Sequence, residues 1–170
     1  MTAYVALLRA VNLFGRPLLM SDLRCIAEEV GLASPRTFIA SGNLLFASNK
    51  SERELKSALE TAIERHMGKP IGVMIRTATE MAEVAEANPF ADQPGNRVVA
   101  IFLDGAPSSD ALDQARNVAD ERMALGKREI YVHYPGGQGP SKLKIPAAGT
   151  GTARNMNTVA KLAEMAKEIE

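Results

Sequence analysis

Short apolar runs alternate along this chain with stretches in which apolar side chains recur every three or four positions, so strands and helices alternate. Tyr4-Val5-Ala6-Leu7-Leu8-Arg9 is continuous enough to predict a central strand. Asn12, Gly15 and Pro17 supply turn chemistry. Ser21 then stands where it would cap a helix with Leu23, Ile26, Ala27 and Val30 on one face and Gly31 at its end. Arg36–Ala40 and Leu44–Ala47 are strand-like. Ser41-Gly42-Asn43 between them is short enough for a hairpin, with Gly42 and Asn43 taking positive φ. Ser51-Glu52-Arg53-Glu54 is a capping box, and the helix it opens buries Leu55, Leu59, Ala62, Ile63 and Met67 before Gly68 stops it. Pro70–Arg76 gives a fourth strand.

That order is the split βαβ plait, the ferredoxin-like unit, over residues 1–77. Residues 78–170 repeat much of it. Thr77-Ala78-Thr79-Glu80 opens a leading helix with Met81, Val84 and Ala85 inward, broken at Asn88-Pro89. Arg97–Leu103 is a buried strand, Ser108 or Ser109 caps a helix carrying Ala111, Leu112, Ala115, Val118 and Ala119, and Arg128–Tyr134 alternates like a half-exposed strand. Residues 141–149 fit either a strand or a turn of helix. A last helix buries Met156, Val159, Leu162, Ala163, Ala166 and Ile169. The expected fold is therefore α+β, two tandem ferredoxin-like (α-β plait) subdomains at 1–77 and 78–170.

Composition narrows the function classes. Basic and acidic side chains number 20 each, so global charge favours neither nucleic acid nor membrane. The charge is uneven, however: residues 130–163 carry Lys142, Lys144, Arg154 and Lys161 and no Asp or Glu. The one cysteine, Cys25, excludes an internal disulfide and fits a reducing cytosol. It reads as a small half-buried filler, and His66, in the last turn of its helix, reads as structural. No run approaches ~20 apolar residues and the N-terminus lacks a signal-peptide pattern, so a cytoplasmic protein is expected.

Candidate chemistry gathers late in the chain. Thr150–Thr158 packs hydroxyls, amides and Arg154 at what reads as a helix entrance, where backbone N–H groups and the dipole favour an anion. Asn155 is the expected N-cap there, with Asn157 and Thr158 in the first turn. Upstream, Gly136-Gly137-Gln138-Gly139 precedes Ser141-Lys142. The nucleotide-binding G-x-x-x-x-G-K-[ST] pattern is absent, since Ser precedes Lys, which leaves a Gly-rich turn plus Lys142 as an anion cradle. Arg9, Asn12, Ser41 and Asn43 form a second polar cluster beside the first strand. No paired His, Cys or acidic loop has metal-ligand spacing, and no cofactor motif or catalytic constellation emerges.

Several blocks occur in a familiar order: Ala6–Asn12, Phe38–Asn43, Ala87–Phe90, Ile130–Gly137, Ser141-Lys142-Leu143 and Thr152–Val159. In them the chain resembles the bacterial family catalogued as domain of unknown function 1697, over nearly its whole length. The resemblance implies two tandem α-β plait subdomains and brings no established reaction. One departure is local: family members often carry a helical segment between the last two blocks and a Trp where this chain has Met156. The short connector Lys144–Gly149 and Met156 take away any aromatic stacking role at that position.

The resulting expectation is a binding module for an anionic ligand bearing phosphate or carboxylate, held by Arg9, Asn12, Ser41, Asn43, Ser141, Lys142, Arg154, Asn155, Asn157 and Thr158. The alternative is an enzyme acting on a phosphorylated or carboxylated small molecule, with Arg9, Lys142 and Arg154 as electrostatic clamps. A second alternative is an assembly protein, a homodimer pairing through its sheet faces. Nucleic acid enters as a partner only by fold analogy, because the spaced aromatic set of an RNA-recognition domain is missing.

Overall fold

The computed structural model describes residues 1–9, 18–38 and 42–169. It is a mixed α+β protein with two four-stranded antiparallel sheets and, among the described residues, four α-helices. The chain divides into two compact units, Met1–Met81 with Leu162–Glu170, and Ala82–Lys161.

In the first unit the sheet order is β2-β3-β1-β4, from β1 (Thr2–Leu8), β2 (Ala33–Phe38), β3 (Asn43–Ser48) and β4 (Val73–Thr77). Every neighbouring pair is antiparallel, with Val5 opposite Leu45 and Arg76. Helix α1 (Met20–Glu29) connects β1 to β2, and α2 (Glu52–Met67) connects β3 to β4. Apolar positions every three or four residues give each helix one stripe, Leu23, Ile26 and Ala27 on α1 and Leu55, Leu59, Ile63 and Met67 on α2. Those stripes pack with Tyr4, Ala6, Leu8, Leu44, Phe46 and Ile75 of the sheet. Full burial of a side chain such as Leu59 is worth about 1.5–3 kcal/mol.

The local signals of α2 are realised. Ser51 Oγ accepts from Glu54 N–H at 3.2 Å, and Gly68 closes the helix at φ 77°. Glu60 and Lys56 clip α2 to β4, accepting from Val73 N–H at 2.9 Å and donating to Val73 O at 2.6 Å respectively. The second capping box is reciprocal: Thr77 Oγ1 accepts from Glu80 N–H, and Glu80 Oε1 accepts from Thr77 N–H, opening α3 (Ala78–Glu86).

Three readings of this unit change. Ser21 does not cap α1: it lies inside the helix, and Leu19 holds the cap position without a side-chain bond. Asn43 does not take positive φ; it begins β3 opposite Leu7 and Phe38, while Gly42 alone of the two turns at φ 87°. Cys25 is exposed and not half-buried.

The second unit repeats the strand order as β6-β7-β5-β8, from β5 (Val98–Phe102), β6 (Arg122–Leu125), β7 (Glu129–His133) and β8 (Thr152–Asn155). All its neighbouring pairs are again antiparallel. Its core includes Val99, Ile101, Leu103, Ile130, Val132, Tyr134 and Ile145. The helix expected after Ser108 is absent, and only Ala111–Gln114 makes a 3-10 turn. The reason is tertiary. Arg116 N–H and O exchange bonds with Lys144 at 2.8 and 3.0 Å, and Asn117 adopts φ 58°, so the helical ladder cannot continue. That same bridge settles the Lys144 region as extended, followed by a 3-10 turn at Pro146–Ala148. β7 is buried at every position and not half-exposed, because β5 and β6 flank it. Thr152–Asn155 is an edge strand, and α4 (Met156–Ile169) starts only after it.

Candidate functional site

Three strand ends and two turns meet at one end of the second sheet. Val98 opposes His133, and Val99 opposes Asn155, so the start of β5 and the ends of β7 and β8 lie side by side. A 3-10 turn, Gly95–Arg97, leads into β5, and Arg97 O accepts from Tyr134 N–H at 2.8 Å. Beyond Tyr134 the chain turns through Gly136 and Gly137, the latter at φ 90°, with Gly137 N–H donating to Tyr134 O at 2.9 Å.

Arg97 is the residue that joins these parts. A Cβ on Gly137 would fall 2.6 Å from one guanidinium nitrogen of Arg97, so the guanidinium lies directly on the Gly-rich turn. On the other side of the same 3-10 turn, a Cβ on Gly95 would fall 2.1 Å from Asn157 Oδ1 and 3.3 Å from Asn157 N. Gly95 thus closes over the first turn of α4. Asn155 caps that helix as its sequence predicts, its Oδ1 accepting from Thr158 N–H at 2.9 Å.

Next to this turn is a cleft of about 430 Å³ lined by Val118, Asp120, Glu121, Tyr134, Gly137 and Lys142, among others. Ser141 Oγ donates to Glu121 Oε2 at 2.5 Å and accepts from Leu143 N–H at 3.2 Å. Ala119 N–H donates to Glu121 Oε1 at 2.7 Å. The Ser141 hydroxyl first, and the backbone N–H bonds after it, hold the Glu121 carboxyl below the ordinary range. The Tyr134 phenol is pushed up by burial and then by the Glu121 charge, so it stays a neutral donor.

The other candidates fall elsewhere. Arg154 is buried on β8, opposite Ala100, and strand alternation puts it on the face away from Asn155. One of its guanidinium nitrogens donates to Ala153 O at 2.9 Å, and desolvation lowers its pKa to about 10. Asn43 is fully buried, its Nδ2 donating to Phe38 O at 2.9 Å. Arg9 follows β1, exposed, with its N–H on Gly72 O. Asn12 and Ser41 lie outside the described residues. His66 pairs with Asp22 at 3.5 Å in the first unit. The His133 ring lies tilted against Phe90, centroids 5.8 Å apart, and its buried Nδ1 has no partner among the described residues. Among the described residues no group of three or more His, Cys, Asp or Glu is placed to hold a metal ion. None of their helices is long and apolar enough to cross a membrane.

Sequence reasoning passed over Arg97, Asp120 and Glu121. Arg97 reads as the polar start of a strand, and nothing along the chain ties it to a glycine forty positions later. Glu121 lies in the acid-rich middle segment, so the acid-free run around Lys142 looked uncontested until the fold set the two together.

The model of a family described as protein of unknown function (DUF1697) matches residues 1–131. The chain belongs to that family. The match ends before the Gly136–Gly139 turn, so the blocks from Gly136 to Thr158 lie C-terminal to it. No curated protein matches the chain. Among solved structures it is similar to the conserved bacterial protein SP0830 from Streptococcus pneumoniae, at 25% identity and a TM-score of 0.81. That similarity covers 98% of this chain and 99% of the other. The DUF1697 assignment carries a shared architecture and no reaction.

Proposed function

We propose that this DUF1697 protein is a binding module for a small anionic ligand, seated in the second-unit cleft lined by Gly136, Gly137 and Lys142, with the Arg97 guanidinium against Gly137. One observation carries the reading: the Arg97 guanidinium lies against Gly137, and neither Arg97 nor Lys142 has a side-chain partner among the described residues. A planar fork of donors beside a glycine-rich turn suits phosphate or carboxylate. Ser141 shapes this site through Glu121, and Asn155, Asn157 and Thr158 fix the helix entrance behind it. The role first expected of Arg154 passes to Arg97, because a guanidinium must reach solvent to meet a ligand.

The same reading takes each half, 1–77 and 78–170, as a ferredoxin-like plait, supported by the matching strand orders β2-β3-β1-β4 and β6-β7-β5-β8. It also places the protein in the cytosol, where an exposed thiol such as Cys25 stays reduced.

The test is a thermal-shift series with inorganic phosphate, pyrophosphate, acetate and nucleotides. A ligand present at a hundred times its Kd stabilises the fold by about 2.7 kcal/mol, a shift of several degrees. Arg97→Ala and Lys142→Ala should each shrink that shift. If no anion raises the wild-type Tm, or if both variants respond as the wild type does, the reading is wrong.

A further inference from the structure

We infer that the ligand is zwitterionic, presenting its anionic group to Lys142 and the Gly136–Gly137 turn and an ammonium group to Asp120. This rests on the anion-binding reading above and extends it.

The argument starts from a charge pattern inside one cleft. Asp120 and Lys142 both line it, and they form no ion pair with each other. Neither side chain has any hydrogen-bond or charge partner among the described residues. Opposite charges that share a concave surface attract one another, so two left unpaired there present complementary poles to whatever enters. Glu121, the adjacent acid, is not available for that role, because Ser141 Oγ and Ala119 N–H already occupy its carboxylate. Asp120 is thus the free acidic pole. Lys142, backed by Arg97 behind Gly137, is the basic one.

The same cleft also carries apolar lining. Val118, about half exposed, and Pro140 line it, together with the ring of Tyr134. A short methylene chain between the charged groups matches such a lining, and the cleft volume of about 430 Å³ holds a molecule of that size. The ligand class is therefore a short aliphatic chain with an ammonium at one end and a phosphate or carboxylate at the other.

Calorimetric titration of the full chain separates the possibilities. The probes are phosphoethanolamine, ethyl phosphate, ethanolamine and inorganic phosphate, with γ-aminobutyrate against butyrate to tell a phosphate from a carboxylate preference. Wild type should bind one zwitterion about tenfold more tightly than its ammonium-free analogue. Asp120→Asn should erase that advantage and leave the analogue's affinity unchanged, whereas Lys142→Gln should weaken both. Asp120 is exposed and its side chain holds no bond among the described residues, so an unaltered Tm for the unliganded variant serves as the folding control. The inference is overturned if ethyl phosphate and butyrate bind as tightly as their amino counterparts, or if the advantage survives Asp120→Asn. In either case binding of inorganic phosphate would leave the anion reading standing. If no probe binds, both fall together.

Discussion

In the first unit the two crossings over the sheet are α-helices of 10 and 16 residues; in the second, the equivalent crossings hold 3-10 turns of 4 and 3 residues. The strand order beneath is the same. A helix satisfies its own backbone and offers a continuous apolar stripe, so the first unit closes over Tyr4, Leu44 and Phe46. A loop must find partners for its backbone one group at a time. In the second unit Arg116 finds Lys144, Ala119 finds Glu121, and Leu143 finds Ser141. Among these anchor points lies the cleft of about 430 Å³. The difference teaches why the candidate site belongs to the second unit: the crossings that give up a helical stripe are those that line the cleft with Asp120, Tyr134 and Lys142.

The comparison breaks most visibly under core truncation. Phe46 is fully buried beneath both helices of the first unit, and Phe46→Ala should cost about 3–5 kcal/mol. Leu112, half-buried in the loop crossing of the second unit, should cost no more than about 1–2 kcal/mol as Leu112→Ala, since it loses only part of that transfer energy. Urea denaturation of both variants checks the ratio. Equal losses would mean that the loop crossing packs as a helix does.

Two glycines of the second unit sharpen the division between scaffold and site. A Cβ on Gly151 would stand 2.7 Å from Ile101 Cγ2 and 2.9 Å from the Phe102 carbonyl oxygen, so Gly151→Ala pushes on sheet backbone and should cost about 1–3 kcal/mol. It should leave anion affinity, measured at a temperature where the variant is folded, within twofold of wild type. Gly137→Ala should cost about 1–2 kcal/mol, because φ is 90° there, and the new methyl group must also displace the Arg97 guanidinium. Its signature is a loss of anion binding larger than the loss of stability predicts. Titration and thermal melts on both variants separate the two effects.

The caps give a finer contrast. Ser51→Ala removes the acceptor for Glu54 N–H at the start of α2 and should cost about 1 kcal/mol. Ser108, which with Ser109 reads as a candidate cap of a weaker helix, turns its hydroxyl to the exposed Asp110 carboxylate, and Ser108→Ala should fall within about 0.5 kcal/mol of wild type. A matched pair of melting curves decides it.

These cases also mark what the chain discloses by itself. The first unit is legible because its signals are local: a capping box, a stripe at helical spacing and a glycine at the stop all lie within one element. The second is less so. Arg122-Met123-Ala124-Leu125 forms an edge strand from residues that favour helices, and Thr152–Asn155 becomes a strand with no apolar alternation to announce it. Both are held by β7 and β5, strands that are themselves easy to read. The site divides the same way. Lys142, Asn155 and the glycine turn stand out along the sequence, whereas Arg97 and Asp120 acquire meaning only from neighbours distant in the chain.

The smallest expected effect tests one anchor of the loop crossing. Ser141 holds the Glu121 carboxylate, and that bond, with the backbone N–H bonds, depresses its pKa below the value of about 4.3 expected in the unfolded chain. A carboxyl with a lowered folded pKa stabilises the fold above its unfolded pKa and loses that contribution as pH falls through the folded value. Ser141→Ala removes the leading cause of the depression. It also frees Leu143 N–H, a loss that does not depend on pH. The Tm deficit of Ser141→Ala should therefore shrink as the pH is lowered from about 7 through the folded pKa of Glu121, below which the carboxyl is protonated in both states. Thermal melts across that range measure the difference. A deficit of the same size at both ends would leave Ser141 bonded to Leu143 alone in its effect, and would remove Glu121 as an anchor of the cleft wall beside Asp120.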